Sequence, residues 1–163
     1  MVKISDQTFA IPIQVITTFI VKKQNEIKTK NGVSSIVYNG NIIPLYYLSD
    51  ILGLAPIPRG EKETILIIES DEKTVGLVVD KLLGDQDILQ KKLSAPLYKV
   101  KNISGITNLS SGELCLILNM QDILLYDFNK GLKLFLVFNC IIKLFINRIL
   151  RVNAVDHPIP SFV

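Results

Sequence analysis

Short runs of β-branched and apolar residues recur along the chain up to residue 118, each bounded by Gly, Asn, Ser or charged residues. The runs predict strands at Ile13–Val21, Val33–Tyr38, Ile42–Tyr47, Thr64–Glu69, Val75–Asp80, Ile103–Asn108 and Glu113–Leu118. Val, Ile, Thr and Tyr fit a pleated, half-buried surface, and turn residues between such runs mark where the chain reverses. Several runs are apolar on both faces, as strands between two packed layers are. Short helical stretches are expected at Leu48–Leu52 and Met120–Leu124. Even spacing of short strands argues for an all-β fold of small barrels and against alternating strands and helices.

The pattern is written twice. Thr8-Phe9-Ala10-Ile11-Pro12-Ile13-Gln14-Val15-Ile16 aligns with Thr74-Val75-Gly76-Leu77-Val78-Val79-Asp80-Lys81-Leu82 at an offset of 66 residues. A polar pair precedes each copy, Asp6-Gln7 and Glu72-Lys73, and an apolar strand precedes each pair. Further on, Asn39-Gly40-Asn41-Ile42-Ile43-Pro44-Leu45 aligns with Ser111-Gly112-Glu113-Leu114-Cys115-Leu116-Ile117 at an offset of 72. That offset also places Asp50-Ile51-Leu52 on Asp122-Ile123-Leu124. Asn-Gly and Ser-Gly are signals for two-residue hairpins, because Gly accepts the positive φ of a tight turn. The stretch Leu54–Gly60, with two prolines, is the natural seam between the halves.

Charge changes this picture only at the C-terminal end. Residues 1–127 carry 13 Lys/Arg against 14 Asp/Glu, a net of −1. Residues 128–163 carry five Lys/Arg against Asp156 alone, a net of +4. The main body therefore lacks a basic footprint for nucleic acid, which counts against a nucleic-acid-binding small barrel. Cys115 and Cys140 each sit in an apolar run and read as small buried hydrophobes rather than a disulfide framework. No signal peptide opens the chain, so a cytoplasmic location is expected.

Catalysis needs convergent nucleophiles, bases or metal ligands, and the sequence offers no such set. The single histidine, His157, lies near the C-terminus between Asp156 and Pro158, with no predicted helix to hold it. Zinc-ligand spacing and a Gly-rich phosphate loop are both lacking, so no metal, cofactor or catalytic residue is expected. The carboxylates Glu69-Asp71-Glu72 and Asp85-Asp87 read as solvated turn residues. What remains is strand surface: Val37, Tyr38, Ile42 and Tyr46 around the first hairpin, and Leu82, Leu83, Ile88 and Leu89 around the second half's polar loop. Most of these should fill their own barrels. The exposed remainder would form an interface, because small barrels offer open edges to partners.

In order and spacing these segments resemble the CheW-like domain over roughly residues 2–126. Phe9-Ala10-Ile11-Pro12, Gln14-Val15-Ile16 and Tyr38–Leu45 are similar to its opening half, which Leu48–Leu54 closes. Gly76–Gln86, Ile103-Ser104-Gly105-Ile106 and Leu114–Met120 are similar to the C-terminal regulatory domain of CheA-type histidine kinases. The resemblance implies two intertwined SH3-like five-stranded β-barrels: a first over about 14–63, and a second over about 64–127 with strand exchange from 1–13. It implies a non-catalytic scaffold in chemotaxis signal transduction. The partners would be a CheW-type adaptor, the cytoplasmic tip of chemoreceptors and CheA-type kinase domains, with no nucleic acid and with membrane reached only through receptors in arrays at the inner membrane. Val37, Asn39, Asn41, Ile42, Leu82 and Gln86 are the partner-binding residues it points to. The family usually carries Arg before the hairpin Gly, where this chain has Asn39; Asn suits the turn but removes that charge. The alternative identity is a truncated or split piece of a CheA-type kinase with no activity of its own.

Residues 128–163 fall outside the resemblance. The longest charge-free run there, Leu134–Ile142, is shorter than the roughly 20 apolar residues a spanning helix needs. Asn139, Lys143 and Asn147 recur every four residues, as in a basic amphipathic helix at an interface or one packed on the second barrel. The abrupt end of the family pattern near Tyr126 favours a third reading, a tail outside the family's frame.

Overall fold

A computed structural model describes residues 1–69, 73–93 and 100–125. The chain divides into two units, Met1–Tyr126 and Asp127–Val163, and every described residue belongs to the first. The expected C-terminal helix, Cys140 and His157 lie outside the described residues, as do Asp71 and Glu72.

In chain order the elements are β1 (Val2–Ile4), β2 (Gln7–Ala10), β3 (Thr18–Lys23), β4 (Lys28–Lys30), β5 (Val33–Tyr38), β6 (Asn41–Tyr47), α1 (Leu48–Leu52), β7 (Lys62–Glu69), β8 (Thr74–Val79), β9 (Lys81–Leu82), β10 (Ile103–Asn108), β11 (Leu114–Leu118) and α2 (Met120–Leu124). They form two sheets, one of five strands ordered β10-β11-β2-β1-β9 and one of six ordered β3-β7-β8-β6-β5-β4. The fold is all-β and barrel-like, with the two short helices where the sequence places them. None of the described helices is long and apolar enough to cross a membrane.

The internal repeat reappears as register. Val2 opposes Phe9 in the hairpin β1–β2, and Ile68 opposes Val75 in β7–β8, which are equivalent positions at the offset of 66. Ala10 lies beside Ile117 in a parallel pair, and Gly76 lies beside Leu45 in the other. The strand that opens each half of the chain thus pairs with the hairpin of the other half. The exchange runs both ways, so β7 and β8 lie in the sheet of residues 18–47. That differs from the sequence division, which lends only residues 1–13 and places 64–127 together. The physical cause is continuity: β8 passes through Asp80 directly into β9, so one extended stretch serves both sheets.

Three local expectations need correction. Ile13–Val15 forms a 3-10 turn before β3, because Pro12, with φ −56°, sets the chain for a reversal in which Ile16 N–H donates to the Ile13 carbonyl. The Asn31-Gly32 pair closes a hairpin that adds β4, so one sheet has six strands rather than five. Asn39-Gly40 makes the expected two-residue turn, with φ 47° and 81°, whereas the loop at Ser111-Gly112 runs from Asn108 to Leu114. Only Gly112 of that second pair has positive φ, which a two-residue I′ turn requires at both positions.

Each sheet encloses its own cluster. Ile36, Ile43, Leu45, Ile65, Ile67 and Val78 form one, with Ile20, Ile27, Tyr38 and Tyr47 packed against it. Ala10, Cys115 and Ile117 form the other, joined by Met1, Ile88 and Leu109. Cys115 is fully buried, as expected, and burial pushes its thiol up. Polar contacts also reach the C-terminal side of each helix. Ser5 in the β1–β2 turn donates its hydroxyl to the Ala55 carbonyl after α1. Lys73, immediately before β8, donates to the Leu124 carbonyl at the end of α2. The Ser5 N–H, at φ 54°, donates to the Asp80 carboxylate where the shared strand changes sheets.

Gly76 is where the exchange is tightest. A Cβ added there would lie 2.4 Å from Leu45 Cδ2 and 2.9 Å from Ile65 Cγ2, inside the first cluster. Gly76→Ala should cost about 1–3 kcal/mol, the usual range for overpacking a filled core. Urea denaturation of the full chain measures this. A change within experimental error would mean that Leu45 moves aside freely.

Candidate docking surface

Alternation along β5 and β6 sorts side chains between two faces. Ile36, Tyr38, Ile43 and Leu45 point to the cluster. Val33, Ser35 and Val37, with Ile42, Pro44 and Tyr46, share the opposite face. Val37 and Ile42 are directly opposed, one residue pair in from the tight turn. They are 55% and 76% exposed, which makes a cross-strand apolar pair facing outward from a well-formed hairpin. Val33 on the same face is exposed as well. The turn residues Asn39 and Asn41 flank the pair and are exposed.

The edge strand β4 completes this face. Lys28 opposes Ser35 and Lys30 opposes Val33, so both lysines lie on the side of Val37 and Ile42. The hairpin is tied across its edge by a Thr29–Ser34 side-chain hydrogen bond of 3.2 Å and by Ser35 Oγ donating to the Lys28 carbonyl. At the other edge of the same sheet, Phe19 and Val21 on β3 are also exposed.

The structure therefore brings Val37, Asn39, Asn41 and Ile42 together on one hairpin. Leu82 and Gln86 lie elsewhere, at and beyond the edge strand β9 of the five-stranded sheet. Leu82 is half-buried opposite Val2, while Gln86, Leu83 and Leu89 are exposed. Tyr38 and Ile88 pack inward against the two clusters. Val33, Lys28 and Lys30 escape the sequence reading, although Asn31-Gly32 is the hairpin signal that would have placed them.

One buried carboxylate was also not foreseen. Glu63 on β7 shares the inward face with Ile65 and Ile67 and is only 8% exposed. Its Oε1 has no hydrogen-bond partner among the described residues. Desolvation pushes the carboxyl up; the nearby Arg59 opposes this and Asp80 adds to it. Arg59 itself stacks on the Tyr47 ring, 4.1 Å from the centroid. Glu69, Asp85 and Asp87 are exposed, in keeping with turn carboxylates. Among the described residues no three His, Cys, Asp or Glu side chains converge as a metal site would require.

Residues 1–127 match the family of the CheW-like domain. The chain is 29% identical over 127 residues to the chemotaxis protein CheA of Bacillus subtilis (strain 168), covering 77% of this chain and 19% of that protein. It is 26% identical over 134 residues to the sensor histidine kinase CheAY of Helicobacter pylori (strain ATCC 700392 / 26695), covering 82% and 16%. The chain thus spans about a fifth or less of the length of these relatives. Among solved structures it is similar to the scaffolding protein TtCheW from Thermoanaerobacter tengcongensis, with a TM-score of 0.52 and 18% identity over 72% of this chain and 85% of that one.

Two outcomes follow from the burial pattern. Ile42→Asp should leave stability within about 1 kcal/mol of the parent, whereas Ile43→Asp, which buries a charge, should abolish cooperative folding in thermal melts. The raised Glu63 carboxyl fixes a sign. Between its ordinary and its raised value the folded chain holds more protons than the unfolded one, so stability falls as pH rises through that window. Glu63→Gln should therefore raise Tm at neutral pH, with the gain shrinking as pH falls towards the ordinary carboxylate range. A gain that is constant with pH would assign it to something other than the charge.

Proposed function

The chain belongs to the family of CheW-like domains, and on that premise we propose that it is a non-catalytic docking module, joining a CheA-type histidine kinase to a CheW-type adaptor and to the cytoplasmic tip of chemoreceptors. Its work is positional. It holds partners in a fixed arrangement at receptor arrays by the inner membrane and passes on receptor state as a shift between populated arrangements. The observation that carries this reading is the Val37–Ile42 pair, apolar, exposed and held on a hairpin whose opposite face is core. Fully burying two such side chains contributes about 1.5–3 kcal/mol each, a useful share of a micromolar interaction. Asn39 and Asn41 supply polar contacts at the margin. Leu82 and Gln86 belong to a second contact region on the other sheet.

The similarity to CheA proteins supports a second reading, in which the chain is a truncated or split piece of such a kinase and has no activity of its own. Failure of the purified chain to bind ATP or accept phosphate fits both readings, so adaptor binding is the discriminating measurement.

Titration of the full chain against the CheW-type adaptor of the same organism should give micromolar binding, weakened at least tenfold by Ile42→Asp. A folded chain with no measurable binding would overturn the docking role.

A further inference from the structure

The two halves of the chain present equivalent hairpins with unlike surfaces. The position of Ile42 corresponds to Leu114, and its cross-strand partner Val37 corresponds to Asn108. Leu114 is half-buried and Asn108 is polar, so the second hairpin lacks an exposed apolar pair. At the first hairpin two lysines share the face of that pair. Register places Lys28 and Lys30 on the same face, at the outermost strand, and both are exposed. The only ion pair among the described residues is Lys22–Glu26, so neither lysine is neutralised there.

We propose that Lys28 and Lys30 make this face selective for an acidic protein partner, one whose docking surface has an apolar centre beside carboxylates. The inference rests on the docking reading above and adds to it the chemistry of the partner. Val33, Val37 and Ile42 supply the dry centre of the contact, and the lysines supply a charged margin. Marginal charges govern encounter more than dissociation: they steer an oppositely charged surface into register and repel a basic one. Lysines on an edge strand also have a plainer use, as guards against strand-to-strand association. That use predicts a solubility effect and no dependence of partner binding on their sign.

The full chain, binding the CheW-type adaptor of the same organism, provides the test by stopped-flow at two salt concentrations. Lys28→Glu/Lys30→Glu should lower the association rate about tenfold at low salt and flatten its salt dependence, with the dissociation rate changed less than about threefold. Lys28→Gln/Lys30→Gln should fall between that variant and the parent. Val37→Asp should instead raise the dissociation rate. If Val37→Asp weakens binding but both lysine variants keep the parent's association rate and salt dependence, docking stands and the acidic-partner inference falls. If Val37→Asp and Ile42→Asp both bind as the parent does, or the folded parent does not bind, the docking reading fails and takes the inference with it.

Discussion

Two parallel strand pairings, Ala10 beside Ile117 and Gly76 beside Leu45, carry the exchange between the halves of the chain. In each pairing a strand that opens one half completes the sheet built on the hairpin of the other. Parallel neighbours cannot be joined by a tight turn, so each pairing commits a long stretch of chain to a single route. The stretch from Thr74 to Leu82 gives one sheet an interior strand, β8, and the other its edge strand, β9. The closeness of Gly76 to Leu45 and Ile65 follows from this arrangement, as does the Asp80 carboxylate that receives the Ser5 N–H at the crossing.

The rigidity of the β5–β6 hairpin derives from the same exchange. β6 is held on one side by β8 from the other half and on the other side by β5, so the hairpin is an extension of the core. Its inward residues, Ile36, Ile43 and Leu45, are buried in the cluster that β7 and β8 complete. The outward residues therefore keep their spacing without a ligand to order them. A surface preorganised in this way loses little entropy on binding, which suits the docking role proposed above.

Much of this was legible in the sequence because the repeat is written in residues with clear geometric meaning. Asn39-Gly40 fixed the first hairpin, and the offset of 72 placed α1 and α2 where they occur. The direction of exchange was harder to read. Nothing in Thr64–Glu69 or Thr74–Val79 distinguishes pairing with the preceding half from pairing with the following one, since both strands are buried on both faces. Lys28–Lys30 has no apolar residue to announce a strand and is one only because Val33–Tyr38 lies beside it. Of the six candidate contact residues, Val37, Asn39, Asn41 and Ile42 lie together at one hairpin. Leu82 and Gln86 lie at and beyond β9, on the other sheet.

Strand exchange also bears on how the chain emerges from a ribosome. Phe9 and Ala10 find their parallel neighbours only at Leu116 and Ile117, near the far end of the folded unit. At about 5–20 residues per second, the first hairpin waits on the order of ten seconds for that strand to be made. Until then its apolar side chains and one unpaired edge remain open to solvent, the condition under which nascent chains associate wrongly. The six-stranded sheet has all its strands sooner, once β7 and β8 have been made.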